Sequence, residues 1–128
     1  MEGKQVMTTD LQPLTGRYLD FAIAEQVMGW VAAERFPKDP AGIQRPDGLI
    51  VHRSDVPAYS TDIVAAWQVA ETMRVKGWTC EVYCMDETSR WFARFRRPDD
   101  GWFCVGADGA PEAICRAALA AVAGAVQP

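Results

Sequence analysis

The fold of this chain follows from the stretch Trp78–Ala107, which reads WTCEVYCMDETSRWFARFRRPDDGWFCVGA. It contains three segments rich in aromatic and aliphatic residues, separated by two polar turns. The three segments are Trp78–Met85, Arg90–Arg97 and Trp102–Ala107. Because the connections between them are only a few residues long, they predict a three-stranded antiparallel meander.

Helical patterns precede and follow these three strands along the chain. Apolar residues at helical spacing predict helices near 15–29, 61–76 and 111–123. The capping residues Ser60, Thr61 and Asp62 start the second helix. We therefore predict an α+β fold in which helices pack on a three-stranded antiparallel sheet. The predicted core consists of Ile63, Trp67, Ala70, Trp91, Phe95, Ile114 and Ala118.

The length of 128 residues predicts one domain. Residues 1–14 have no periodicity and are interpreted as an N-terminal arm, followed by a single α+β domain over 15–124. Residues 37–58, called the flap below, hold four of the eight prolines. The Asp47-Gly48 dipeptide and the apolar residues after it predict a small irregular hairpin there. The alternative is a loop without regular structure.

The composition argues against a disordered, collagen-like or coiled-coil protein. Apolar residues make up 49% and charged residues 23% of the chain, which are ordinary globular values. The net charge of −4 argues against non-specific binding to nucleic acid or to an anionic membrane. Neither a secretory signal nor an apolar stretch long enough to span a bilayer is visible. We therefore expect a cytoplasmic protein.

Three further stretches resemble a known family. They are Met28-Gly29-Trp30, the run AYSTDIVAAW at 58–67 that continues to Lys76-Gly77-Trp78, and APEAICRAAL at 110–119. Together they are similar to the phage ABA sandwich domain family of small phage and prophage proteins. The resemblance spans roughly residues 15–123 and implies an α-β-α sandwich. It brings no activity and no catalytic residues with it, and it implies a phage accessory gene that works in the cytoplasm of the host cell.

The sequence lacks a catalytic or metal-binding constellation. The chain has one histidine, His52, and no recognisable nucleophile, phosphate-binding or zinc motif. The cysteines Cys80, Cys84, Cys104 and Cys115 form no CxxC pair, and strand spacing separates the first two by about 13 Å. We therefore predict neither enzymatic activity nor a metal or cofactor, and we interpret the cysteines as small apolar residues in a reducing compartment.

Two surfaces are candidates for binding. On one face of the predicted sheet, alternation places Tyr83, Phe92, Arg94 and Arg96, with Glu81 beside them and Phe103 as a further candidate. Aromatic rings beside arginines bind nucleotides, single-stranded nucleic acid and protein partners alike. The flap offers Arg45, His52 and Arg53. Alternatively, the arginine stems only cover a sheet face under a helix, as an α-β-α sandwich would favour.

Three functions follow as hypotheses. The first is a non-enzymatic protein that binds and inhibits a bacterial host protein, such as a defence effector of the CRISPR type. The acidic chain suits docking onto a basic surface. The second is a module that binds and sequesters a nucleotide signal, and the third is an RNA or single-stranded DNA binder. Association of the chain with itself is a further expectation, and a membrane is not expected as a partner.

Overall fold

The computed structural model describes residues 16–33, 42–85, 87 and 89–125. The elements in chain order are α1 (Gly16–Gln26), β1 (Val31–Ala32), β2 (Gly42–Gln44), β3 (Ile50–His52), a 3-10 turn (Arg53–Asp55), α2 (Ile63–Val75), β4 (Thr79–Met85), β5 (Arg90–Arg97), β6 (Gly101–Ala107) and α3 (Ala110–Ala125). The predicted α+β class is confirmed. The predicted arm at 1–14 lies outside the described residues.

The larger sheet has the order β4-β5-β6, and both strand pairs are antiparallel. This is the predicted meander, with strand ends within one residue of those expected. Phe95 at the centre faces Cys80 on β4 and Phe103 on β6. The register fixes the side chains of each strand alternately on two faces, because successive residues of a strand point to opposite sides.

The smaller sheet has the order β1-β2-β3 and contains the predicted flap hairpin. Strands β2 and β3 pair antiparallel, with Ile43 opposite Val51. Asp47 and Gly48 form the turn, where the Gly48 amide donates to the Arg45 carbonyl at 2.9 Å. The prediction of a hairpin is therefore confirmed for the described part of the flap, and residues 37–41 lie outside it.

Helix α3 forms the centre of the core. It packs on strands β5 and β6 and contacts α1 and α2 as well. Its buried residues are Ala113, Ile114, Cys115, Ala117, Ala118 and Ala121. All but Ile114 are small, so that neighbouring elements approach closely. Near its end, Gly124 lies so close to the ring of Phe103 that a Cβ atom there would come within 2.4 Å of it. Glycine is therefore what allows this part of the helix to sit on the sheet.

Helix α2 is rotated relative to the prediction. Its N-cap Asp62 accepts a hydrogen bond from the Val64 amide, and Gly77 follows the helix with a φ of +99°. Its buried residues are Ala65, Ala66, Val69, Ala70 and Met73. Ile63 and Trp67, predicted to be core, are instead exposed, Trp67 to 54%. The contact with α3 selects the small side chains, and a tryptophan ring would not fit between two closely packed helices.

The other core predictions are confirmed except for Trp91. Ala70, Phe95, Ile114 and Ala118 are buried. Trp91 is only half-buried, because it lies at the end of the sheet beside Cys84, which is itself exposed.

A buried carboxylate joins α1 to the segment before α2. Asp20 accepts a hydrogen bond from the Ser60 amide at 2.7 Å and forms an ion pair with Arg17 at 2.9 Å. Arg17 in turn donates to the Val56 carbonyl at 2.7 Å. This network anchors the end of the flap to the body of the domain. Within the described part of the chain, no helix has the length and apolar character needed to cross a membrane.

The rotation of α2 leads to a prediction that compares a buried ring with an exposed one. Phe95→Ala is expected to lower the free energy of unfolding by about 3–5 kcal/mol, because a fully buried ring is removed. Trp67→Ala is expected to cost less than about 1.5 kcal/mol, because half of that ring already lies in water. Urea unfolding followed by circular dichroism measures both. Equal losses in the two variants would contradict the observed rotation of α2.

Candidate functional site: the open face of the sheet

The two faces of the larger sheet have different surroundings. One face carries Ala93 and Phe95, which are buried beneath α3. The other face is exposed or half-buried throughout, and we call it the open face. Its strand residues are Thr79, Glu81, Tyr83, Met85, Arg90, Phe92, Arg94, Arg96, Trp102, Cys104 and Gly106.

The four sheet residues predicted as a binding site all lie on the open face. Tyr83, Phe92, Arg94 and Arg96 are exposed or half-buried, and no described helix covers them. The alternative of a covered face therefore does not hold for the described residues. Phe103, the further candidate, is on the opposite face, where its ring meets Trp78 edge to face at 5.9 Å.

An aromatic pair occupies the middle of the open face. The rings of Tyr83 and Phe92 stack with their centroids 5.6 Å apart and an angle of 18° between their planes. The Tyr83 hydroxyl lies 3.8 Å from the Cys104 sulfur. This contact with Cys104 is the main cause that raises the pKa of the Tyr83 hydroxyl above its ordinary value. The phenol is therefore neutral at physiological pH, and the pair offers an apolar surface with one polar edge.

Arg94 and Arg96 on the open face differ in whether they form an ion pair. Arg94 forms an ion pair with Glu81 across the β4-β5 pair, while its buried Nε has no hydrogen-bond partner among the described residues. Arg96 is exposed and forms no ion pair with any residue that the structure describes. Trp102 lies opposite Arg96 on the edge strand and is 61% exposed. Trp102 was not assigned to this surface from the sequence, because its neighbour Phe103 was placed there instead, and adjacent residues of a strand point to opposite faces.

The flap residues predicted for binding lie on the smaller sheet or directly after it. Arg45 forms an ion pair with Asp47 at 2.6 Å. His52 caps the 3-10 turn, because its Nδ1 accepts a hydrogen bond from the Ser54 amide at 3.0 Å. The guanidinium carbon of Arg53 lies 5.3 Å from the centroid of the Phe21 ring. All three therefore have roles in local structure, and they belong to a different sheet from the four residues of the open face.

The structure has a second exposed apolar surface that was not predicted from the sequence. The rotation of α2 leaves Ile63, Val64 and Trp67 in contact with solvent, beside Met28. They line an open apolar groove of about 700 Å³. The helical periodicity did contain this signal, since the buried set is shifted by only one or two positions from the predicted stripe. Trp67 was assigned to the core because it lies on the apolar stripe of the predicted helix, which consists of Ile63, Ala66, Trp67, Ala70 and Met73.

The described residues hold no group of three or more His, Cys, Asp or Glu side chains placed to bind a metal. Two cysteines are poor nucleophiles for a physical reason. Burial raises the pKa of Cys80 to about 11 and that of Cys115 to about 12. Both thiols are therefore protonated near neutral pH, when the thiolate is the reactive species.

We predict selective labelling of the cysteines by Ellman's reagent at about pH 8. Cys84 is exposed and is expected to react quickly. The thiolate fraction of Cys80 is lowered roughly 100-fold by the rise of its pKa from 9.0 to about 11, so it is expected to react slowly. Cys84→Ser should remove a fast phase of the absorbance change. Loss of a fast phase in Cys80→Ser would show that Cys80 is accessible and ionised.

Comparisons with known proteins agree with this architecture. The model of the phage ABA sandwich domain family matches residues 22–119. No curated protein matches the chain significantly. A solved structure described as a phage protein from Bacillus cereus ATCC 14579 superimposes with a TM-score of 0.70 at 25% sequence identity. The match covers 89% of this chain and 93% of that one. The chain therefore belongs to the phage ABA sandwich domain family.

Proposed function

We propose that this chain is a phage accessory protein that acts without catalysis, by binding a protein of the infected bacterium through the open face. One observation carries the proposal: the face is uncovered although aromatic and arginine side chains dominate it. Trp, Tyr, Phe, Met and Arg are the residues enriched in the centres of protein interfaces. Trp102, Tyr83, Phe92 and Met85 supply the apolar part of such a surface.

The shape of the surface supports a protein partner over a small molecule. Small ligands are usually enclosed in concave pockets that bury most of their surface. The open face is one side of a three-stranded sheet whose central rings, Tyr83 and Phe92, stack on each other rather than forming the walls of a cleft. A protein surface can cover this area without displacing either ring.

Charge supports the same choice. A nucleotide phosphate would need the guanidinium groups, but Glu81 already occupies Arg94. The net charge of −4 also weakens binding to nucleic acid. Arg96, without an ion pair among the described residues, fits a carboxylate of the partner, since arginine binds carboxylates through two parallel hydrogen bonds. The partner that we propose therefore presents an acidic side chain next to an apolar surface. It differs from the basic surface that the net charge of the chain suggested, because arginines outnumber the one acid, Glu81, on the open face.

The family limits the source of the partner. Its members are phage domains, so the protein is expected to act in the cytoplasm of the bacterial host. Proteins of the host's defence systems, including CRISPR effectors, are the first class to test, because inhibiting them benefits a phage directly. This step rests on the family context rather than on geometry.

Affinity purification from the bacterial host with matched variants tests the proposal. The tagged wild type is expected to retain one host protein, and Arg96→Glu is expected to reduce its recovery at least tenfold, because the substitution places a carboxylate against the partner's acid. Arg45→Glu makes the same change of charge on the flap and should retain the partner. Quantitative mass spectrometry of the eluates measures the recovery.

Three results would contradict this proposal. The first is full recovery of the partner by Arg96→Glu together with its loss in Arg45→Glu, which would move the site to the flap. The second is a nucleotide released from the heat-denatured wild type but not from Arg96→Glu. The third is recovery that disappears after nuclease treatment, which would indicate RNA or single-stranded DNA as the ligand.

A further inference from the structure

As far as the described residues show, the outer edge of β6 lacks the usual protection against pairing with another strand. Strand β6 (Gly101–Ala107) lies at the edge of the larger sheet as the described residues form it. Natural edge strands generally carry charges, prolines or bulges that block pairing. The sequence GWFCVGA contains no charged residue and no proline. Both edge strands contact a helix, but only the other edge strand, β4, carries a charged residue, Glu81.

We propose that two copies of this chain pair through β6 to form a continuous six-stranded antiparallel sheet. An antiparallel pair of identical strands has a twofold axis perpendicular to the sheet, so the interface is made of the same residues from each copy. Overlap over all seven residues requires this axis to pass beside Cys104, the central residue of the strand. The pairing uses the edge of the strand and does not rest on the proposed function, although Trp102 and Phe92 also belong to the open face.

The side chains of β6 are complementary in this register. Trp102 lies opposite Gly106 of the partner subunit, and Phe103 lies opposite Val105 of the partner subunit. An aromatic residue across from glycine, and one across from a β-branched residue, are favourable pairs in antiparallel sheets. The exposed Trp102 ring would then lie beside the partner's Phe92, whose ring covers Gly106 in each copy.

The charges at the two ends of β6 are compatible with this pairing. Asp100 and Asp108 flank the strand. In this register, Asp100 of one copy would approach the partner's Asp108. Both are already in ion pairs, Asp100 with Arg97 at 2.5 Å and Asp108 with Arg90 at 3.5 Å. Neutralised carboxylates oppose the contact much less than free ones would. No other like charges face each other along the seven residues, because β6 has none.

The mass of the protein in solution tests this pairing. Sedimentation equilibrium is expected to give twice the chain mass of 14.1 kDa, with dissociation on dilution. Trp102→Lys places a charge on the neutral edge and is expected to raise the dissociation constant at least tenfold. Thr79→Lys is the matched control, because Thr79 occupies the same row of the open face on the opposite edge strand. It should leave the dimer intact.

Oxidative cross-linking tests the register. Opposed residues of an antiparallel pair have Cα atoms about 4.5–5.5 Å apart, which is within the range of disulfides. Oxidation of the native protein with copper phenanthroline is therefore expected to give a disulfide-linked dimer through Cys104. Cys104→Ser should abolish this dimer, and Cys84→Ser, at an exposed cysteine, should not.

Several results would overturn this inference. A mass of one chain even at near-millimolar concentration would exclude the dimer. Dissociation by Thr79→Lys but not by Trp102→Lys would place the interface on β4. Cross-linking that requires Cys84 instead of Cys104 would exclude the register. Because Trp102 and Thr79 are both exposed, neither lysine variant is expected to unfold the chain.

Discussion

The structure depends on the burial of one alanine-rich helix between a sheet and two other helices. Helix α3 contacts β5 and β6 on one side and α1 and α2 on the other. Such close packing requires small side chains, and the contact surfaces of α3 and α2 consist largely of alanine. Large apolar side chains do not fit between these helices, and they lie on the sheet or at the surface instead. Phe95 and Phe103 fill the sheet side, while Trp67 points to solvent.

Turn and capping residues in the sequence were sufficient to predict the helices and strands and their order. Turn residues separate the strands of the meander, Asp62 caps α2, and Asp47-Gly48 closes the flap hairpin. The orientation of α2 could not be predicted in the same way. Its apolar positions surround more than half of the helix, so periodicity alone permits two rotations that differ by about one residue. The choice between them is made by the alanines of α3, which are nearly 50 residues away in the chain.

The candidate site was predictable to a similar extent. Strand alternation correctly grouped Tyr83, Phe92, Arg94 and Arg96, because the period of a strand is fixed. Whether a helix covers that face depends on tertiary packing, which the strand sequences do not contain. The flap residues were grouped with this site only by their chemistry, and the structure separates them onto another sheet. The face of aromatic and arginine residues is open because α3, the main described helix on this sheet, packs on the opposite side.

Hydroxyl-radical footprinting of the free, dilute protein tests the central claim that this face is open. Two tyrosines provide a matched comparison, because Tyr83 on the open face is 42% exposed and Tyr59 in the core is 2% exposed. Mass spectrometry of the peptides should find Tyr83 oxidised at least several-fold faster than Tyr59, with Met85 oxidised as readily. Equal protection of Tyr83 and Tyr59 would mean that the face is covered in solution and would contradict the account.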